Sequence, residues 1–93
     1  MEYYKIVFYK QAKKDSKLIK ESGLKDNVDK LINILKINPF ENIPPYEKLY
    51  GDMKGLYSRR INYQHRLVYQ VYQEEKIVKV LRMWTHYEID TYN

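Results

Sequence analysis

The sequence predicts an α+β domain in the order β-α-α-β-β-β, with two N-terminal helices packed on one face of a twisted, mainly antiparallel four-stranded sheet. Two observations predict it. Helical periodicity is confined to residues 10–35, while β-branched and aromatic residues dominate residues 56–84 with only short polar turns between them. Helices and strands segregated along the chain in this way favour an α+β layer packing over alternating βαβ units. At 93 residues the chain is expected to form one domain spanning 1–93, with a single modest core.

Lys5-Ile6-Val7-Phe8-Tyr9 is short, β-branched and aromatic, and reads as the first strand, placed at the edge or centre of the sheet. From residue 10 the pattern changes. Lys10, Lys13, Lys14, Lys17 and Lys20 recur at helical spacing as a basic stripe, with Ala12, Leu18 and Ile19 as a thin apolar side, and Ser22-Gly23 marks the end. The second helix is clearer: Leu24, Val28, Leu31, Ile32 and Leu35 make one apolar face, and Asn38-Pro39 stops it because a residue before proline avoids the helical region. Residues 38–55 hold all three prolines and read as a long ordered loop, the kind of segment that often carries function. Leu56 to Asn62, Arg66 to Tyr72 and Ile77 to Trp84 are the remaining strands, with Gln73-Glu74-Glu75 as a polar turn. One sheet face meets the helices, which leaves the other open to a ligand.

Composition narrows the function classes. Without cysteine, disulfide stapling and zinc-thiolate sites are excluded, and a cytoplasmic location is expected. No apolar run approaches the length of a membrane span, and Met1 to Lys5 has no secretory-signal character. Seventeen Lys plus Arg against twelve Asp plus Glu give a net charge of +5, which favours a polyanion partner through phosphate contacts. Tyrosine can stack on unpaired bases, but it also fills cores and covers strands, so most of the eleven tyrosines are expected to be structural.

Four groups can carry chemistry: Glu47, the Arg59-Arg60 pair, Arg66, and His86-Tyr87. Cleaving RNA without a metal or other cofactor requires deprotonating the 2′-hydroxyl, stabilising the phosphorane charge and protonating the leaving 5′-oxygen. A carboxylate, an arginine and a histidine match those roles by type. Each has a plainer reading: Glu47 as a solvated carboxylate, the arginines as a surface that pairs with Asp52, Glu74 or Glu75, His86 as surface decoration. His65 reads as a hairpin cap. Hairpin parity decides whether the arginines combine. A three-residue turn at 62–64 puts Arg60 and Arg66 opposite each other and turns Ile61 and Leu67 toward the helices; an even turn separates them.

These residues also carry a resemblance. Pro39-Phe40-Glu41, Glu47-Lys48-Leu49, Gly55-Leu56-Tyr57-Ser58-Arg59-Arg60-Ile61, His65-Arg66-Leu67-Val68-Tyr69 and His86-Tyr87 resemble, in order and spacing, the YoeB/Txe-type toxins of the RelE/ParE superfamily. The resemblance implies a RelE-like fold and a type II toxin: a ribosome-dependent endoribonuclease that cleaves mRNA in the ribosomal A site and so inhibits translation. It implies Glu47 as general base, Arg66 as stabiliser of the phosphate, His86 as general acid, and Arg60 and Tyr87 as substrate contacts, with no metal; Arg59, Tyr50 and Lys54 are further candidate substrate contacts. It also implies a cognate YefM/Axe-type antitoxin and a homodimer. Family members carry a lysine about three residues after the glutamate. Here that position is Tyr50, with Lys48 or Lys54 as the candidate substitute charge, and residues 88–93 extend past the resemblance. The alternatives are a non-catalytic ParE-like toxin that binds DNA gyrase, and a plain RNA- or ribosome-binding module; neither needs Glu47 and His86.

Overall fold

The strand expected at the N-terminus forms as β1 (Lys5–Phe8), its Ile6 and Phe8 directed to the core and Lys5 and Val7 to the other side. The structure is a computed structural model that describes residues 3–84; the expected site residues His86 and Tyr87 lie outside the described residues. Two helices follow, α1 (Lys10–Glu21) and α2 (Lys25–Ile37), then β2 (Tyr46–Lys48), a single 3₁₀ turn at Gly51–Met53, β3 (Tyr57–Arg60), β4 (Arg66–Tyr72) and β5 (Ile77–Arg82). Gly23 sits at φ 74°, the left-handed conformation that lets the chain leave α1 and start α2 two residues later. Asn38 is extended, as its following proline requires, and ends α2.

The sheet has five strands in the order β1-β5-β4-β3-β2, not four. The extra strand is β2, which pairs antiparallel with β3 inside the segment expected to be a loop. Three residues preceded by two prolines are too few to show an alternating pattern; they become a strand because the free edge of β3 offers hydrogen-bonding groups that need partners. The β2–β3, β3–β4 and β4–β5 pairs are antiparallel, and β1 lies at the far edge, parallel to β5.

The core lies between the helices and one sheet face. Ala12 and Ile19 of α1 and Val28, Leu31 and Leu35 of α2 pack against Leu67, Tyr69, Val78 and Val80. The lysine stripe of α1 is exposed, as expected. Its apolar side differs in one respect: Leu18 is exposed, and the third buried residue is Asp15. A carboxylate is accepted there because the Asp15 carboxylate receives hydrogen bonds from the Met83 backbone N–H (3.0 Å), Arg82 Nε (2.9 Å) and Gln11 Nε2 (3.2 Å). This clamp fastens α1 to the end of β5.

Candidate active site on the open sheet face

The register assigns the side chains to faces. Tyr46 and Lys48 of β2, Tyr57 and Arg59 of β3 and Leu67 and Tyr69 of β4 share the helix-side face. Glu47, Ser58, Arg60, Arg66 and Val68 share the opposite one. Arg60 stands directly across from Arg66, with Ile61 N donating to His65 O (2.8 Å) to close the three-residue turn. Of the two parities the sequence leaves open, the odd one forms, and Ile61 and Leu67 are both buried in the core.

On that face the Glu47 carboxylate lies 3.1 Å from Arg66 Nη1. The Arg66 side chain is 17% exposed and that of Glu47 63%, so the pair is open to solvent mainly from the carboxylate side. Two guanidinium-bearing residues paired directly across strands repel each other, and an anion between or beside them relieves the repulsion. Ser58, cross-strand neighbour of both Glu47 and Val68, is 2% exposed, and its Oγ has no hydrogen-bond partner among the described residues. Nothing in the sequence distinguishes it; only burial does.

Arg59 departs from expectation. It is 1% exposed, lies on the helix-side face and is enclosed by the segment leading into β2. Its guanidinium donates to the backbone carbonyls of Pro39 (3.0 Å), Glu41 (2.5 Å) and Pro44 (2.7 Å), and its Nε to the Tyr69 hydroxyl (3.1 Å). It also lies 5.3 Å from the Tyr46 ring centroid. The exposed phosphate contact expected of it is replaced by a structural one: Arg59 ties down the chain just before Glu47. Tyr69 donates to Pro39 O (2.9 Å), and its hydroxyl pKa is pushed up to about 12 by burial, against the opposing pull of Arg59. Phe40, Tyr46 and Tyr57 complete an edge-to-face aromatic cluster around this arginine.

The remaining expected residues are split. Tyr50, 74% exposed, and Lys54 line a cavity of about 280 Å³ with Lys48 and Tyr57, whereas Glu47 and Arg60 line another of about 540 Å³ with Pro44, Pro45, Asn62 and Tyr63. His65 is structural, as expected of a hairpin cap, and more firmly than a cap requires. Its ring stacks on Trp84 at 3.8 Å, its Nδ1 lies 2.8 Å from Trp84 O, and its backbone N–H donates to Asn62 Oδ1. The last described residue is thereby held beside the start of β4.

Comparison with known proteins places this geometry in context. The sequence profile described as the YoeB-like toxin of bacterial type II toxin-antitoxin systems matches residues 4–87. Toxin YoeB of a Synechocystis species is 35% identical over 74 residues, covering 80% of this chain and 77% of the relative. Among solved structures, the YoeB/ParE toxin from Agrobacterium tumefaciens superposes with a TM-score of 0.81 at 30% identity, covering 89% of this chain and 99% of that one. YoeB in the YoeB-YefM complex from Staphylococcus aureus superposes with a TM-score of 0.76 at 33% identity, covering 90% and 98%. The same organism supplies a YoeB dimer with a TM-score of 0.77.

Proposed function

Because the chain belongs to the YoeB-like toxin family of bacterial type II toxin–antitoxin systems, we propose that it is a ribosome-dependent endoribonuclease that cleaves mRNA by acid–base chemistry. The observation that carries the reading is the Glu47 carboxylate 3.1 Å from Arg66 on the helix-free face, with Arg60 across the strand. In this reading Glu47 removes the proton from a ribose 2′-hydroxyl. The 2′-oxygen then forms a bond to phosphorus and the bond from phosphorus to the 5′-oxygen breaks. Arg66, with Arg60 beside it, exchanges its carboxylate partner for the phosphate and stabilises the charge that grows on its oxygens. His86 protonates the departing 5′-oxygen, leaving a 2′,3′-cyclic phosphate and a 5′-hydroxyl; Tyr87 orients the substrate nucleotide.

Chain connectivity supports the partnership. Trp84 is stacked on His65, the residue before Arg66, and two residues of chain span at most about 7 Å. His86 follows Trp84 by two positions in the sequence, and that short separation is what this reading draws on. The ribosome enters because a flexible message seldom holds the 2′-oxygen, phosphorus and 5′-oxygen in line, and positioning is worth several kcal/mol. A YefM-type antitoxin and a homodimer are proposed on the same footing, from the complexes and the dimer of the Staphylococcus aureus relative.

Primer extension on translated mRNA tests the proposal. Discrete cuts at A-site codons are expected from the wild type, and Glu47→Ala, Arg66→Ala and His86→Gln should each slow cleavage by about 10²–10⁴-fold. Wild-type cleavage rates in a Glu47→Ala/His86→Gln double variant would overturn the assigned roles.

A further inference from the structure

We infer that the cavity between the Pro44-Pro45 segment and the β3–β4 turn is a subsite for one unstacked nucleobase of single-stranded RNA, with Tyr63 as its stacking surface. The inference deepens the nuclease reading, since it names what binds next to the phosphate. The cavity, about 540 Å³, lies within the size range of small-ligand sites. Glu47 and Arg60 form part of its wall, so an occupant is the immediate neighbour of the group that the Glu47 and Arg66 pair acts on.

Its lining has the chemistry of a base site. Tyr63 is 78% exposed, whereas Tyr46, Tyr57 and Tyr69 are packed into the cluster around Arg59. An exposed aromatic ring at a turn tip contributes nothing to the core, and every base offers a flat face to it. Pro44 and Pro45 present apolar rings without N–H donors. Asn62 supplies selectivity. Its Oδ1 accepts from Gln64 N (2.8 Å) and His65 N (2.7 Å), which fixes the carboxamide and leaves its two Nδ2–H donors outside the turn's own hydrogen bonds. With Arg60 these donors suit the acceptor-bearing edge of a base. An aromatic ring, a proline wall and fixed donors beside a cationic pair describe an RNA base better than an acidic peptide, which has no flat face for Tyr63 to cover.

The test measures binding of the full-length protein to a short oligoribonucleotide, 2′-O-methylated to block cleavage, and to versions carrying one abasic residue at each position in turn. Wild type should bind less tightly when one particular base is missing. Tyr63→Phe should bind like wild type, and Tyr63→Ala should bind about 5- to 100-fold more weakly, with no further loss on the abasic oligonucleotide. If wild type is indifferent to every abasic position or binds none of the probes, or if Tyr63→Ala binds as tightly as wild type, the subsite is overturned. Cut-site mapping on translating ribosomes separates the two readings. Cleavage by wild type with Tyr63→Ala showing the same base preference removes the subsite and keeps the nuclease. Base-dependent binding that needs Tyr63, without any cleavage, removes the nuclease and keeps a nucleobase site.

Discussion

Arg59 and Arg60 are chemically identical neighbours with opposite fates. The pleat sends one to each sheet face, and the segment from Pro39 to Pro44 covers only one of them. Among the described residues, Arg59 is a buried cation solvated by carbonyl oxygens and a tyrosine hydroxyl rather than paired with a carboxylate. Its fork of five donors satisfies three carbonyls and a hydroxyl together, which a lysine ammonium has neither the donors nor the geometry to do. Arg59→Lys is expected to lower stability by about 2–4 kcal/mol in urea unfolding. Because those carbonyls belong to the chain that delivers Glu47, cleavage by the folded variant should fall too. Arg60→Lys, on the exposed side, should change stability by less than about 0.5 kcal/mol. Equal unfolding midpoints for the two variants would contradict this division of labour.

The same logic separates elements that propensity predicts from those that pairing creates. α2 carries a complete apolar stripe and forms where its pattern says. α1 has a weaker stripe and depends on the Asp15 clamp to β5. Burial pushes the Asp15 carboxyl upward, but the Met83 N–H, Arg82 and Gln11 together outweigh it and hold the pKa below the ordinary value of 3.8. A carboxyl depressed in the folded state contributes stability that is fully present above its unfolded pKa and lost as pH falls through the folded one. Asp15→Asn should therefore cost about 1.5–3 kcal/mol at pH 7. The gap between variant and wild type should narrow as pH drops below about 4, and thermal unfolding across pH 3 to 7 measures it. A gap that widens on acidification would contradict the assignment.

Over the entire chain the net charge is +5, and two groups of basic residues lie on opposite sides of the molecule. Lysines 10, 13, 14, 17 and 20 line the exposed side of α1, while Arg60 and Arg66 lie on the far side of the sheet. In the proposed reading the protein works inside a ribosome, flanked by RNA, so both surfaces can face phosphate. If about five phosphates are neutralised, the logarithm of the ribosome affinity should fall with the logarithm of salt concentration with a slope near −3.5. Replacing Lys13 and Lys17 by Gln should make that slope shallower while leaving the rate of cleavage by bound toxin unchanged; an unaltered slope would confine the contact to the sheet face. No helix among the described residues is long and apolar enough to cross a membrane.

The sequence alone determined the helices, the three strands after Gly55 and the family, because each is written in local periodicity or contiguous motif; it posed the parity of the hairpin between Arg60 and Arg66 without deciding it. Tertiary structure decided the rest. Whether Tyr46–Lys48 is a strand, which of two adjacent arginines is buried, that Asp15 and not Leu18 faces inward, and that Tyr63 stands beside Glu47 all depend on which distant segment covers a surface. Burial and long-range pairing involve residues far apart in the chain, and a local pattern carries no record of what lies across from it.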